Sequence, residues 1–443
     1  MLLPGLGLGG SGVGLVSLSP MSEYPFWPAP LGKAFRAKVA LPGSKSLTNR
    51  ELLLSAIAET ETKLIAPLVS RDSQLMIDAL SQMGTEFRWV ESDLVVTPNQ
   101  LKSGGKIDCG LAGTVMRFVP PLALLANGST EFDGDDGARL RPMQTTIDSL
   151  RSLGAEVIAE NPALPFSVLS SGVIEGGELA IDASASSQFV SGLLLVAARF
   201  RDGLTLRHIG QDLPSLPHIE MTLETLRSRG VNAYAIDERS WRVEPGVIQG
   251  GERVIEPDLS NAGPFLAAAM VCGGEVRIPY WPKKTTQVGA EFETILPKMG
   301  AKIYREGEDL VLVGSGQIHG IDIDLSIGGE LAPVIAALAT LADTPSRITG
   351  IAHLRGHETD RLKALTAEIN RLGGNCRELE DGLEVTPATL SGGQWFSYHD
   401  HRMATAGAII GLRIPGVSVE NIATTSKTMP RFAELWTAML ESK

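Results

Sequence analysis

The sequence is short of cysteine: Cys109, Cys272 and Cys376 are the only three in 443 residues, and none belongs to a CxxC pair. An odd, scattered set excludes a disulfide framework and a thiolate zinc site, and it points to a reducing compartment. Positive charge is outweighed, with 39 Lys and Arg against 51 Asp and Glu for a net charge of −12. A chain of that balance does not track a nucleic-acid backbone or an anionic membrane over a broad face, but it can still hold a local basic pocket. No stretch of about 20 uninterrupted apolar residues is present, so no segment is expected to span a membrane. Residues 1–22 are apolar yet lack Lys and Arg and carry five Gly between positions 5 and 12. That suits neither a signal peptide nor a membrane helix, and a disordered extension is expected there.

What is present is ordinary globular composition, 43% hydrophobic and 20% charged, in a chain long enough for two to four domains. An amphipathic helix closed by a glycine recurs along it. IDALSQMG ends at Gly84, IDSLRSLG at Gly154, TLETLRSRG at Gly230, ETILPKMG at Gly300 and TAEINRLGG at Gly373. Each glycine suits the left-handed position that ends a helix, and a β-type run follows each one. A sixth copy is cut down to the terminal helix FAELWTAML.

A second series, apolar all round, runs in the same register and starts at Ser44, Gly113, Ser186, Ser260, Glu330 and His401. Helices of that kind belong inside a domain. With the short β runs between them, the pattern predicts six βαβαββ units of about 70 residues, three to a domain. The run RAKVALPG at 36–43 is expected as the strand ahead of the first helix, and the midpoint of the repeat falls near Asp258.

Chemistry-bearing residues collect at two places in each unit. At the starts of the apolar helices stand Lys45, Ser46 and Arg50; Gly113, Thr114 and Arg117; Ser186, Ser187 and Gln188; Glu330; and His401 with Arg402. The loops before the surface helices add Arg139 and Arg141, Ser215 and His218, the run His357 to Arg361, and Ser426 to Thr428. Helix N-termini attract anions. Taken singly, a Ser at such a start is an N-cap, the run 357–361 reads equally as a solvated loop, and the cysteines read as structural. Lys45, Arg50, Arg117 and Arg402 instead oppose the helix dipole together, which points to function.

On six separated motifs the chain resembles the 5-enolpyruvylshikimate-3-phosphate synthases, of the enolpyruvyl transferase family. The motifs are LPGSKSLTNR at 41–50, LAGTVMRF at 111–118, SASSQF at 184–189, GHETDRL at 356–362, DHRMA at 400–404 and SKTMP at 426–430. The resemblance implies an α/β fold, a two-domain inside-out α/β barrel of six βαβαββ repeats joined by a double crossover. The domains would be 23–43 plus 258–443, and 44–257. It implies transfer of the enolpyruvyl group of phosphoenolpyruvate to the 5-hydroxyl of shikimate 3-phosphate in chorismate and aromatic amino-acid biosynthesis. It further implies a cytoplasmic monomer, no metal or organic cofactor, and inhibition by glyphosate.

Carried over motif by motif, Glu358 is implied as proton donor to carbon and Glu330 as acceptor of the hydroxyl proton, with Lys45 and Lys427 in the catalytic set. Lys45, Ser46, Arg50, Ser186, Ser187, Ser215, Glu330 and His357 would hold shikimate 3-phosphate. Lys45, Gly113, Arg141, Gln188, Arg361, Arg402 and Lys427 would hold phosphoenolpyruvate. Three positions depart from the family pattern: Glu330 for Asp, His357 for Lys and Leu111 for Asn. His357 is expected to titrate near neutrality and to gain charge beside anionic substrates. Cations lining both halves are expected to push the empty cleft open. Two alternatives are weighed: a UDP-N-acetylglucosamine enolpyruvyl transferase, disfavoured because 113–160 has no cysteine, and a non-catalytic repeat scaffold, disfavoured by the acids set among Lys and Arg.

Overall fold

The computed structural model describes residues 24–211 and 213–442; the extension expected at 1–22 lies outside them. Gly84, Gly154, Gly230, Gly300 and Gly373 all have positive φ, between 82° and 107°, so each helix of the amphipathic series ends where a residue without Cβ can turn left-handed. The chain then enters a hairpin. In the unit around Gly154, the strand Glu156–Ala159 pairs antiparallel with Phe166–Ser171. That strand pairs antiparallel with Asn127–Asp133, which lies parallel to Gly105–Asp108. The buried helix Gly113–Ala123 makes the crossover between the two parallel strands.

Among the described residues, five four-stranded sheets repeat this arrangement, and a sixth has three strands. The apolar helices lie inside and the sheets outside. All nine residues of Ala332–Thr340 are buried, whereas Glu86–Val90 is mostly exposed. Inner helices approach closely: a Cβ on Gly192 would stand 2.2 Å from the Arg117 carbonyl of the neighbouring helix, a contact only glycine permits.

Buried apolar side chains form two clusters. One runs from Leu52 to Ile248; the other joins Phe35 to Val39 with residues from Leu259 onward. Between them the chain crosses twice. The Ser44 N–H donates to Glu256 O at 2.8 Å and the Asp258 N–H to Pro42 O at 2.9 Å. Asp258 serves both sides, accepting from the Lys45 N–H at 3.2 Å and the Asn261 N–H at 3.1 Å. One carboxylate thereby caps an inner helix of each half.

The crossing corrects the expected strand at 36–43. Only Arg36–Lys38 is strand, and it lies parallel to Glu275–Ile278 in the other half. The first unit takes its edge strand from Gly251–Val254, parallel to Thr62–Ile65. The short sixth unit is completed from the opposite end of the chain, where Phe26–Pro28 pairs antiparallel with Ser418–Glu420.

Candidate active site

The starts of the inner helices converge on one cavity of about 320 Å³ between the halves. Lys45 and Ser46 open the helix Lys45–Ala56, and Gly113 opens Gly113–Ala123. Ser186, Ser187 and Gln188 stand at the start of Gln188–Ala197, and Glu330 lies in the 3-10 turn Gly329–Leu331. Arg402 is the second residue of His401–Gly411. The loops ahead of the surface helices bring Arg141, Ser215, His357, Glu358 and Arg361 to the same walls. Both places singled out in the repeat therefore face one space.

Some expected residues stand back from the walls. Arg139 is half-exposed and pairs with Asp133 and Asp136. Lys427 lies behind Glu358, to which its Nζ donates at 2.6 Å. Arg50 is buried, and its Nε donates to Thr222 Oγ1 at 2.8 Å, Nη1 to Ser46 O at 2.9 Å, and Nη2 to His218 O at 2.9 Å and Ser191 Oγ at 3.3 Å. Of its five N–H groups, one on Nη1 is left uncommitted. Burial pulls its pKa down to about 9 against the pull of Glu330.

Acids are interleaved with the cations that line the cleft. Glu358 holds Lys427 and, at 3.1 Å, Arg361 Nη2. Arg361 also grips Asp400 at 2.7 Å, and Asp400 caps the helix carrying Arg402. Asp72 stands 3.7 Å from Lys45 and 4.0 Å from Lys427, across the two halves. Burial alone would raise the Glu358 pKa, but Lys427, Arg361 and Arg141 hold it well below the usual carboxylate range. For Glu330 burial is likewise overcome, here by His218, Arg402 and Ser260, and its pKa is also well below the usual range. Lys45 is pulled down by burial.

The expectation that His357 titrates near neutrality is corrected for the cleft formed by protein groups alone. Burial, then the Arg361 charge, push its pKa well below the ordinary histidine value, and its Nδ1 accepts from Arg361 Nη1 at 3.3 Å. A nitrogen that accepts from guanidinium carries no proton, so this imidazole is neutral; the neighbouring arginine outweighs Glu358, which lies 4.0 Å away.

Among the described residues, other cleft groups have atoms with no hydrogen-bond partner. Arg141 Nε and Nη1, Gln188 Oε1, Arg117 Nε and both ring nitrogens of His401 are buried without hydrogen bonds. Buried polar atoms are rarely left so unless something else meets them. The wall thus offers unpaired donors beside paired acids, which suits binding an anion next to groups able to move protons.

Sequence reasoning missed Asp72, Ser260 and His353, all of which border this network. Asp72 lies within the capping box formed by Ser70 and Ser73, in the first turn of the surface helix Arg71–Gln82, so its place at the start of a surface helix was the available signal. His353 sits four residues before His357 in the 3-10 turn Ala352–Gly356, with no periodic pattern to mark it.

Comparison with known proteins agrees with this geometry. Residues 31–436 match the family described as EPSP synthase (3-phosphoshikimate 1-carboxyvinyltransferase). A protein of Kocuria rhizophila named 3-phosphoshikimate 1-carboxyvinyltransferase is 53% identical over 432 residues, covering 94% of this chain and 97% of that protein. Two structures of EPSP synthase from Acinetobacter baumannii superpose with TM-scores of 0.77 and 0.76, at 24% and 23% identity, each covering 94% of this chain and 98% of the other. At that identity they bear on the fold, which is the two-domain inside-out α/β barrel. The family match over most of the length and the close relative establish that the chain belongs to the EPSP synthase family, the 3-phosphoshikimate 1-carboxyvinyltransferases.

Proposed function

We propose that the cavity between the halves carries out the family's reaction, transfer of enolpyruvyl from phosphoenolpyruvate to the 5-hydroxyl of shikimate 3-phosphate with release of phosphate. The observation that carries this reading is the pairing of unsatisfied donors with held carboxylates in one space: Arg141 Nε and Nη1 without partners, Glu358 on Lys427 and Arg361, Glu330 on His218 and Ser260.

Phosphoenolpyruvate lies against Lys45, Gly113, Arg141, Gln188, Arg361 and Arg402, with the charge of Lys427 acting on it from behind Glu358. Shikimate 3-phosphate is held by Lys45, Ser46, Ser186, Ser187, Ser215, Glu330 and His357, with the spare Nη1 hydrogen of Arg50. Glu358 is ionised when surrounded by its cations alone. An incoming phosphate and carboxylate neutralise those cations, which raises its pKa and lets it carry the proton delivered to the methylene carbon. Glu330 takes the proton of the attacking hydroxyl. Phosphate leaves from the tetrahedral intermediate, its charge met by arginine and lysine, while a proton of the new methyl group returns to a carboxylate so that the C=C bond re-forms.

The segments 23–43 plus 258–443 and 44–257 act as two domains that close on the substrates, and glyphosate competes for the anion pocket. The protein works as a cytoplasmic monomer; among the described residues no helix is long and apolar enough to cross a membrane. Phosphate release tests the reading: it is expected only with both substrates present. Release with UDP-N-acetylglucosamine in place of shikimate 3-phosphate, or none with the proper pair, overturns it.

A further inference from the structure

His218 belongs to no motif that carries the family resemblance, yet it makes a polar contact between the halves at their most reactive point. Its Nε2 lies 2.8 Å from Glu330 Oε2. His218 is in the first turn of the helix Leu216–Ser228, in the half built on the Leu52 to Ile248 core. Glu330 is in the other half, in the turn before Ala332–Thr340. The remaining carboxylate oxygen, Oε1, accepts from Ser260 Oγ at 2.7 Å within its own half. Glu330 is ionised, so it has only lone pairs to offer, and the proton in the contact belongs to the nitrogen. His218 Nε2–H is the donor.

The histidine is itself firmly placed. Its carbonyl accepts from Arg50 Nη2 at 2.9 Å, Thr222 Oγ1 at 3.0 Å and Ser191 Oγ at 3.4 Å. The residue that starts its helix, Ser215, is held at φ 57° and ψ 48°, a left-handed conformation that costs on the order of 1 kcal/mol or more outside glycine. Strain of this kind persists where the surroundings demand a particular exit direction for the chain. Here that direction carries the His218 ring across to the carboxylate.

We propose that His218 is the positioning residue for Glu330, its Nε2–H delivered from the opposite half to fix the carboxylate in the orientation that takes the hydroxyl proton. This rests on the reading of Glu330 as that acceptor. A glutamate has three rotatable side-chain bonds, and Ser260 alone pins only one oxygen. With Oε1 held from one half and Oε2 from the other, the carboxylate plane is set only when the halves are together. As the hydroxyl oxygen bonds to carbon, its proton passes to Glu330; His218 keeps its own proton and forms no bond to substrate. Alignment of the proton acceptor is thereby tied to closure.

Steady-state phosphate release by the full chain tests this in His218→Phe, His218→Gln, His218→Asn and Glu330→Gln. His218→Phe is expected to lower kcat by about tenfold to a hundredfold, the cost of a misplaced reacting group, with KM for both substrates within about twofold, since uniform binding is untouched. Glutamine sets its amide N–H where Nε2 was and is expected to restore most of kcat. Asparagine, one methylene shorter, reaches only the Nδ1 place and is expected not to. That pair decides the matter even if the Phe variant fails to fold. In a Glu330→Gln background, His218→Phe is expected to have no further effect. The proposal is overturned if His218→Phe keeps full kcat, if Gln is no better than Asn, or if the loss falls wholly on KM for shikimate 3-phosphate. Full activity in Glu330→Gln would remove the acceptor reading itself, and the positioning role with it. An inactive Glu330→Gln beside an active His218→Phe removes the positioning role alone.

Discussion

The two halves meet at one cavity with opposite chemistry. The half built on residues 52–248 presents groups in search of partners: Arg141 and Gln188 have buried atoms with no hydrogen bond, as does Arg117 behind them. The half from Asp258 onward, apart from the unbonded ring nitrogens of His401, presents charges already satisfied, Glu358 with Lys427 and Arg361, Arg361 with Asp400, and Glu330 with Ser260. A guanidinium without a carboxylate is ready to bind an anion, whereas a network of paired charges is ready to move a proton without rearranging. One half is built to receive and the other to react, and each fails in its own way when cut.

Removing the reacting carboxylate gives the largest effect. Glu358→Gln is expected to lower kcat by about a hundredfold or more, the usual worth of a positioned acid, as read by phosphate release. Near-normal turnover would place the chemistry elsewhere.

Two arginines then separate the halves directly. Arg361→Ala leaves Asp400 buried and unpaired, and is expected to cost about 3–5 kcal/mol of stability, seen as a lower midpoint in urea unfolding. Arg141→Ala breaks no side-chain hydrogen bond among the described residues and is expected to lower that midpoint far less, while weakening phosphoenolpyruvate by about tenfold to a hundredfold, the worth of a charge-assisted hydrogen bond. Equal stability losses in the two variants would erase the distinction.

A smaller change tests the receiving wall. A Cβ at Gly113 would lie 3.1 Å from Gln188 Oε1 and 3.2 Å from Arg141 Nη1, close enough to push both ends back by a few tenths of an ångström. Gly113→Ala is expected to raise KM for phosphoenolpyruvate by only a few-fold, about 1 kcal/mol by the cost of a strained rotamer, and to weaken glyphosate more. A greater loss of turnover than of inhibition would count against that geometry.

The most gradual effect is pH dependence, and it should reside in the reacting half. Burial, then Arg402, lower the His401 pKa well below its ordinary value, and its side chain is only 5% exposed. The folded form is neutral where the unfolded chain begins to protonate, below about pH 6.5. Stability is therefore full above that value and falls with acidification, by up to about 1.4 kcal/mol per pH unit for one such group. His357 has the same sign, but with 35% of its side chain exposed solvent blunts its share. Glu330 and Glu358, with depressed pKa values, contribute stability that is lost only as pH falls below the unfolded carboxylate value of about 4.3. Thermal melting between about pH 7 and pH 5 isolates the histidines, and His401→Gln is expected to flatten that slope; an unchanged slope would mean His401 is charged in the fold.

Much of this molecule was legible locally. Five glycines spaced by about one unit announced five helix ends, and all five turn left-handed. The helix starts and loops that carry the site could be named because the repeat puts them at equivalent places, and cations there break a rule of helix electrostatics. Motif matching supplied the chemistry that spacing could not.

Sequence by itself determined the six units, their helices and the two places in each where function gathers, since helix periodicity and capping act over a few residues. Only the tertiary structure decided which distant strands complete a sheet, as Gly251–Val254 does for Thr62–Ile65, because such pairing depends on where the whole chain crosses. It alone decided that Arg50 has one donor to spare, that His357 is neutral and that His218 reaches Glu330. Each of these follows from burial and from charges contributed by segments far away in sequence, which no local pattern encodes.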